Sequence, residues 1–318
     1  MIVSVCEEML PSHQEKIGRE TGKEILLYRS VKEIPNHIKE SLEILLGYGP
    51  SFNDQEVATF EQFPNLKWVQ WFSAGIDDLK IDELDERRII LTNVSGIHVK
   101  PMSEYVLMCM LYFEKDMDRY QSLKHQKQFD RSKLVGELTD RKVLLYGTGV
   151  IGQAIAKTLS LFNITVYGVN TSGKSHPYFQ ATYKLEEAEK IIGSVDYVIS
   201  LLPSTVKTRN FFTKTYLQKM NPKSVFISIG RGDVVEEQAV VELIQNKMLR
   251  GAAMDVFHQE PLPADSPLWE CENLIVTPHM SAKSIYYIDR CVDIFIHNLN
   301  AIEKNKEMIN VINTCREY

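Results

Sequence analysis

The chain has 318 residues, 44% apolar and 25% charged, with a formal net charge of −6 at pH 7. That length holds one large domain or two ordinary ones, and mild acidity without a run of Lys and Arg argues against a nucleic-acid partner. No apolar stretch is long enough to span a bilayer, and the start, Met1 to Glu8, meets charge too early for a secretory signal; a cytoplasmic protein with no membrane partner is expected.

Short apolar runs alternate with helical patterns, the signature of parallel βα units. In the first third, strands are expected at 2–6, 24–28, 43–47, 67–72 and 89–93, separated by segments such as 54–63 with Val57 and Phe60 on an apolar face. A long helical stretch from Pro101 to about Gln126, opening on a proline that suits a helix start, reads as the element joining two domains. A second series follows, with strands expected at 143–146, 165–169, 197–202, 225–229, 252–256 and 274–277, enough for two mononucleotide-binding halves. The stretch from Ser281 to about Glu303 reads as a helix with Ile285, Ile288, Val292, Phe295 and Leu299 on one stripe, before the short apolar run 308–312. The five cysteines (Cys6, Cys109, Cys271, Cys291, Cys315) form no C-x-x-C pair and read as reduced thiols. His13, His37, His98, His125, His176, His258 and His297 show no ligand spacing, so no metal site is expected.

The most informative stretch is Gly147-Thr148-Gly149-Val150-Ile151-Gly152, lying between the apolar run 143–146 and a segment of helical spacing. Strand, glycine turn and helix start together suit a dinucleotide pyrophosphate, because a helix start offers unpaired N–H groups and partial positive charge. An NAD site places an acidic residue at the end of the next strand; here Asn170 stands there, followed by Thr171, Ser172 and Lys174. A carboxylate would repel a ribose 2′-phosphate by about 4 kcal/mol per charge pair at an effective dielectric of ~20. An amide, two hydroxyls and an ammonium favour NADP instead. The alternative is that Asn170 only ends its strand and the site takes NAD.

Three later segments fall at strand ends, where open α/β sheets bind ligands. Arg231, flanked by Gly230 and Gly232, reads as a grip for a substrate carboxylate, with a structural ion pair as the alternative. Glu260 in the segment 254–262 and His279 in the segment 275–281 read as a pair. Hydride transfer to a ketone needs a proton donor, and histidine, with an ordinary pKa of about 6.5, supplies one near neutrality. A nearby carboxylate favours the imidazolium and orients its ring.

These residues resemble the D-isomer-specific 2-hydroxyacid dehydrogenase family. The resemblance rests on the glycine turn, Leu202-Pro203-Ser204-Thr205, Ser228-Ile229-Gly230-Arg231-Gly232, Gly251 through Pro263, and Thr277-Pro278-His279. It implies two α/β domains: a Rossmann-type doubly wound parallel sheet at 99–284, and a smaller flavodoxin-like substrate domain from 1–98 and 285–318, closing about hinges near Val99 and Ser284. It implies Arg231, Glu260 and His279 as the catalytic set, and Ser73, Ala74 and Gly75, with Arg231, on the substrate carboxylate. It places NADP or NAD against the glycine turn, Asn170, Thr171, Ser172, Lys174, Leu202, Pro203, Thr208, Ile229, Gly230, Asp255, His279 and Ser281, with Asp255 near the nicotinamide carboxamide. Asp77 can also cap a helix. Departures from the family pattern at Ser95-Gly96 and Ser103-Glu104 read as subgroup variation. The loop Gly47-Tyr48-Gly49-Pro50 has no basic residue, which favours a small unphosphorylated 2-oxo acid reduced to the D-2-hydroxy acid. A homodimer is the family expectation, with the helix from Pro101 contributing. The alternative reading is a non-enzymatic NAD(H)-sensing, corepressor-like regulator on the same fold.

Overall fold

A computed structural model describes residues 1–48, 60–76 and 79–312. Gly49, Pro50, Val57, Asp77 and Cys315, which carry some of the expectations above, lie outside the described residues. The chain divides into two compact units, Met1–Ile97 with Ser284–Tyr318, and His98–Lys283.

The first unit is built on β1 (Ile2–Ser4), β2 (Ile25–Leu27), β3 (Ile44–Gly47), β4 (Trp68–Trp71) and β5 (Ile90–Thr92). They form one parallel sheet in the order β2-β1-β3-β4-β5, the flavodoxin-like arrangement. Both faces are covered, which is why these strands read as near-continuous apolar runs. Val3, Leu45, Val69 and Leu91 belong to one core layer, and Ile2, Leu46 and Trp68 to the other. The second layer is closed by the helix Tyr287–Glu303, whose Phe295 stacks on Trp68 with ring centroids 5.3 Å apart. That helix starts later than expected, and Ile285 lies before it, 89% exposed rather than on the apolar stripe. Asn298 on the same helix is fully buried and holds Ile309 by both its backbone groups. The 308–312 run is thereby fixed beside the sheet, with Val311 bridging antiparallel to Thr92.

The second unit carries β6 (Lys142–Tyr146), β7 (Thr165–Asn170), β8 (Ala181–Lys184), β9 (Tyr197–Ser200), β10 (Val225–Ser228), β11 (Gly251–Met254) and β12 (Leu274–Val276). The order β12-β11-β10-β9-β6-β7-β8 is the dinucleotide-binding order extended by one strand. Seven strands stand where six are expected: β8 is the additional one, at the edge beside β7. The expected long helix is two, Val99–Glu114 and Met117–His125. Between them Asp116 takes the left-handed conformation, φ +54°, which ends the first ladder of hydrogen bonds. The first helix packs Val106, Cys109, Met110 and Phe113 onto the face of the sheet that also buries Val143, Ile199 and Ile227. The thiol of Cys109, shut in that layer, is pushed up to about 12 by burial.

Candidate active site

The second sheet brings the sequence-singled segments of its unit to one edge, the carboxyl ends of β6, β7, β9, β10, β11 and β12. Gly147 leaves β6 at φ +106°, a conformation glycine adopts without strain. Gly152 packs so closely that a Cβ there would sit 2.0 Å from the carbonyl oxygen of Gly147. Helix Val150–Ser160 therefore starts tight against the strand. No side chain caps it, and its first internal bond runs from Gln153 N–H to Gly149. The N–H groups of Val150, Ile151 and Gly152 have no partner among the described residues. Val150 is exposed, and nothing lies within 4 Å of a Cβ placed on Gly149. This open cradle of free donors fits a pyrophosphate.

Asn170 organises the neighbouring loop. Its Nδ2 donates to Thr148 Oγ1 (2.8 Å) and to the Lys174 carbonyl (3.0 Å), while its Oδ1 accepts from Ser172 and Gly173 N–H. The expected donation from Asn170 to a phosphate is thus spent inside the loop. Ser172 is also engaged, its hydroxyl meeting Asn170 Oδ1 and accepting from Lys174 N–H. Thr171 and Lys174 stay exposed. Lys184, on the unanticipated β8, comes in beside them: a Cβ on Gly173 would lie 3.2 Å from its Cγ. Only the recognition of β8 could have drawn Lys184 to this loop.

On the next strand ends, Leu202 is buried and Pro203 exposed. Thr208 is buried with its hydroxyl consumed by Pro203 and Thr205, so it shapes this loop from within. Gly230 lies against the Leu201–Leu202 backbone, where a Cβ would meet the Leu202 oxygen at 2.5 Å, and Ile229 is buried beneath. Arg231 points outward from this turn. Among the described residues its guanidinium makes one hydrogen bond, to the Gly230 carbonyl, and no acidic partner engages it.

Asp255 follows β11 and is fully buried. Oδ1 accepts from the Thr277 hydroxyl (2.6 Å) and Met280 N–H (2.8 Å), Oδ2 from Ser281 N–H (2.9 Å), and its backbone carbonyl from His279 N–H (2.8 Å). Tyr105, which the sequence did not single out, reaches Thr277 Oγ1 at 2.6 Å from helix Val99–Glu114. His279 itself sits at φ +50°. Its Nδ1 lies 2.7 Å from Glu260 Oε2, and Glu260 Oε1 accepts from Phe257 N–H at 2.9 Å. The dyad is oriented, and Nε2 is the ring nitrogen left for a substrate.

In the first unit, Ser73-Ala74-Gly75 follows β4. Its carbonyls are tied down: Val94 N–H donates to Ser73, Asn93 Nδ2 to Ala74 and Trp71 Nε1 to Gly75. The N–H groups of Ala74 and Gly75 have no partner among the described residues.

Residues 107–281 match the family described as D-isomer specific 2-hydroxyacid dehydrogenase, NAD binding domain. A protein of that family from Aeromonas salmonicida subsp. salmonicida A449 shares the structure with a TM-score of 0.85 and 30% identity, covering 98% of each chain. An NADPH-dependent glyoxylate/hydroxypyruvate reductase from Sinorhizobium meliloti, solved with NADP and sulfate, gives a TM-score of 0.81 at 25% identity over 99% of each chain. Glyoxylate/hydroxypyruvate reductase B of Salmonella newport is 28% identical over 276 residues, 83% of this chain and 84% of that protein. With a glycine-turn dinucleotide cradle and an oriented glutamate–histidine dyad on one sheet edge, the chain belongs to the D-isomer-specific 2-hydroxyacid dehydrogenase family and is an NAD(P)-dependent oxidoreductase.

Proposed function

We propose that this protein reduces a small unphosphorylated 2-oxo acid of the glyoxylate or hydroxypyruvate class to the D-2-hydroxy acid, with NADPH preferred over NADH. The observation that carries the reading is the Glu260–His279 contact at 2.7 Å, on the same sheet edge as a guanidinium, Arg231, without an acidic partner among the described residues. Two similar proteins are glyoxylate/hydroxypyruvate reductases, which supports the substrate class. The absence of a carboxylate at Asn170 and the exposed Lys174 support NADPH.

A reduced dinucleotide with its pyrophosphate at the glycine turn would supply the hydride for the carbonyl carbon. The chain's residues supply everything else. The free N–H groups of Val150, Ile151 and Gly152 would hold the pyrophosphate, and Asp255, buried with its carboxylate taken by Thr277, Met280 and Ser281, would act by fixing the loop that carries His279 rather than by reaching the carboxamide itself. Arg231 holds the substrate carboxylate; the free N–H groups of Ala74 and Gly75 support the same task for Ser73-Ala74-Gly75. The proton on His279 Nε2 passes to the carbonyl oxygen as it gains charge, and Glu260 stabilises the imidazolium beforehand. Arg231 and His279 together stabilise the developing alkoxide, the contribution that usually dominates such rate enhancements.

We assign 1–98 with 285–318 to substrate binding and 99–284 to the dinucleotide. A cytoplasmic homodimer is the proposed state, supported by Phe129 and Leu134, 96% and 93% exposed in the segment after helix Met117–His125. A panel of 2-oxo acids assayed with NADPH and NADH separately tests the reading. His279→Ala is expected to cut turnover by about 10²–10⁴-fold while NADPH still binds. Wild-type turnover in that variant overturns the assignment.

A further inference from the structure

At the amino ends of β6, β9, β10, β11 and β12, the pole of the second sheet opposite the glycine turn, a cavity of about 440 Å³ opens to solvent. Four cations line it, Arg141, Lys223, Lys247 and Arg250, and one acid, Asp196. Behind it lies Glu114, 2% exposed, whose carboxylate accepts from Tyr197 Oη (2.6 Å), Arg141 Nη2 (2.7 Å) and Arg250 Nη1 (3.1 Å). Counting both acids, the pocket keeps a surplus of two positive charges in a chain whose net charge is −6.

The surplus is arranged in two tiers. The guanidinium groups form a fixed floor, because Arg250 also donates to the Phe113 carbonyl and Arg141 to the Glu137 carbonyl and Asp196. Asp196 is partly satisfied elsewhere, accepting from Lys142 N–H at 2.8 Å. Lys223 and Lys247 are the second tier: both exposed, neither ammonium with a partner among the described residues. Ile244 and Leu249 wall the cavity with apolar surface, which concentrates the field of the cations inside it.

We infer that this cavity is a second ligand site, distinct from the dinucleotide crevice, for a small multivalent oxyanion, a phosphate-bearing or polycarboxylate metabolite. Such a ligand brings at least two negative charges to two free ammonium groups and is too polar for an apolar pocket. Nothing in hydride transfer uses these residues, and the cavity lies at the opposite ends of the strands that lead to Arg231 and His279. A ligand that binds only the folded state raises its stability in proportion to the logarithm of its concentration above the dissociation constant.

The test is thermal unfolding of the full chain with saturating dinucleotide, which keeps the glycine turn from competing for the probe. Pyrophosphate and citrate are titrated separately against NaCl of equal ionic strength. A saturable rise in Tm beyond that of NaCl is expected with at least one, which also tells phosphate from carboxylate preference. The half-saturating concentration is expected to rise at least tenfold in the Lys223→Ala/Lys247→Ala double variant. Lys247→Gln alone is expected to weaken binding as well, which guards against a folding defect in the pair. A rise reproduced by NaCl, or unchanged half-saturation in these variants, overturns the inference.

Discussion

Replacing Glu260 by Gln removes one negative charge at nearly constant side-chain size. The carboxylate serves two donors, Phe257 N–H and His279 Nδ1. A carboxamide has a single acceptor oxygen and turns an N–H group toward one of them. With charge centres about 4 Å apart, the lost attraction on the imidazolium runs from about 1 kcal/mol in water to about 4 kcal/mol at an effective dielectric of 20. The His279 and Glu260 side chains are 49% and 36% exposed, so screening holds the loss to about 1–2 kcal/mol. That is a fall in kcat of about 5- to 30-fold. The assay is NADPH oxidation with glyoxylate across acid to mildly alkaline pH. KM for NADPH is expected to stay unchanged. A kcat within about twofold of wild type at every pH refutes the argument that Glu260 acts on the charged ring.

Lys174→Glu is expected to raise KM for NADPH by about fivefold or more and leave KM for NADH unchanged, because an exposed charge pair is worth about 1 kcal/mol and the reversal adds repulsion. Equal effects on both cofactors, read by steady-state kinetics, count against a 2′-phosphate contact. Glu114→Ala is expected to cost about 1–3 kcal/mol in denaturant unfolding, since Arg141, Arg250 and Tyr197 lose a shared buried acceptor while the two guanidinium groups keep other partners and some solvent. The pH dependence has a definite sign. Burial alone raises the Glu114 carboxyl, but the Tyr197 hydroxyl, Arg141 and Arg250 outweigh it and hold it below the usual range. Its contribution is full above the ordinary carboxylate pKa of about 4.3 and is lost as pH falls through the depressed value. Wild-type stability is therefore expected to fall toward that of Glu114→Gln on acidification, and parallel pH curves contradict it.

The parallel strands are legible because sheets covered on both faces store their signal as continuous apolar runs, as in Val225–Ser228 and Trp68–Trp71. The edge strand Ala181–Lys184 escapes the same reading. It has one neighbour, none of its residues is fully buried, and Thr182 and Lys184 break the run. The break at Asp116 is equally silent, since no glycine or proline marks it. Glu114 has a role invisible in its periodicity, because Arg141, Tyr197 and Arg250 converge on it from distant parts of the chain. Glu260 and His279 are found from chemistry, whereas the expectation for Asn170 runs ahead of geometry: the residue type is right for donating, but a turn takes its hydrogens first.

What positions the acid is also distributed. A non-glycine residue in the left-handed region costs about 1–2 kcal/mol, and His279 is held there at φ +50°. The restraint comes from Asp255, which grips the residues on either side of His279 through Thr277, Met280 and Ser281, and takes the N–H of His279 itself on its carbonyl. Because the Thr277 hydroxyl gives its hydrogen to the Asp255 carboxylate, the 2.6 Å bond to Tyr105 has the phenol as donor. Burial pushes the Tyr105 phenol well above its ordinary pKa, which keeps that hydrogen in place. A chain of directed hydrogen bonds thus runs from helix Val99–Glu114 to the loop that aims the imidazole.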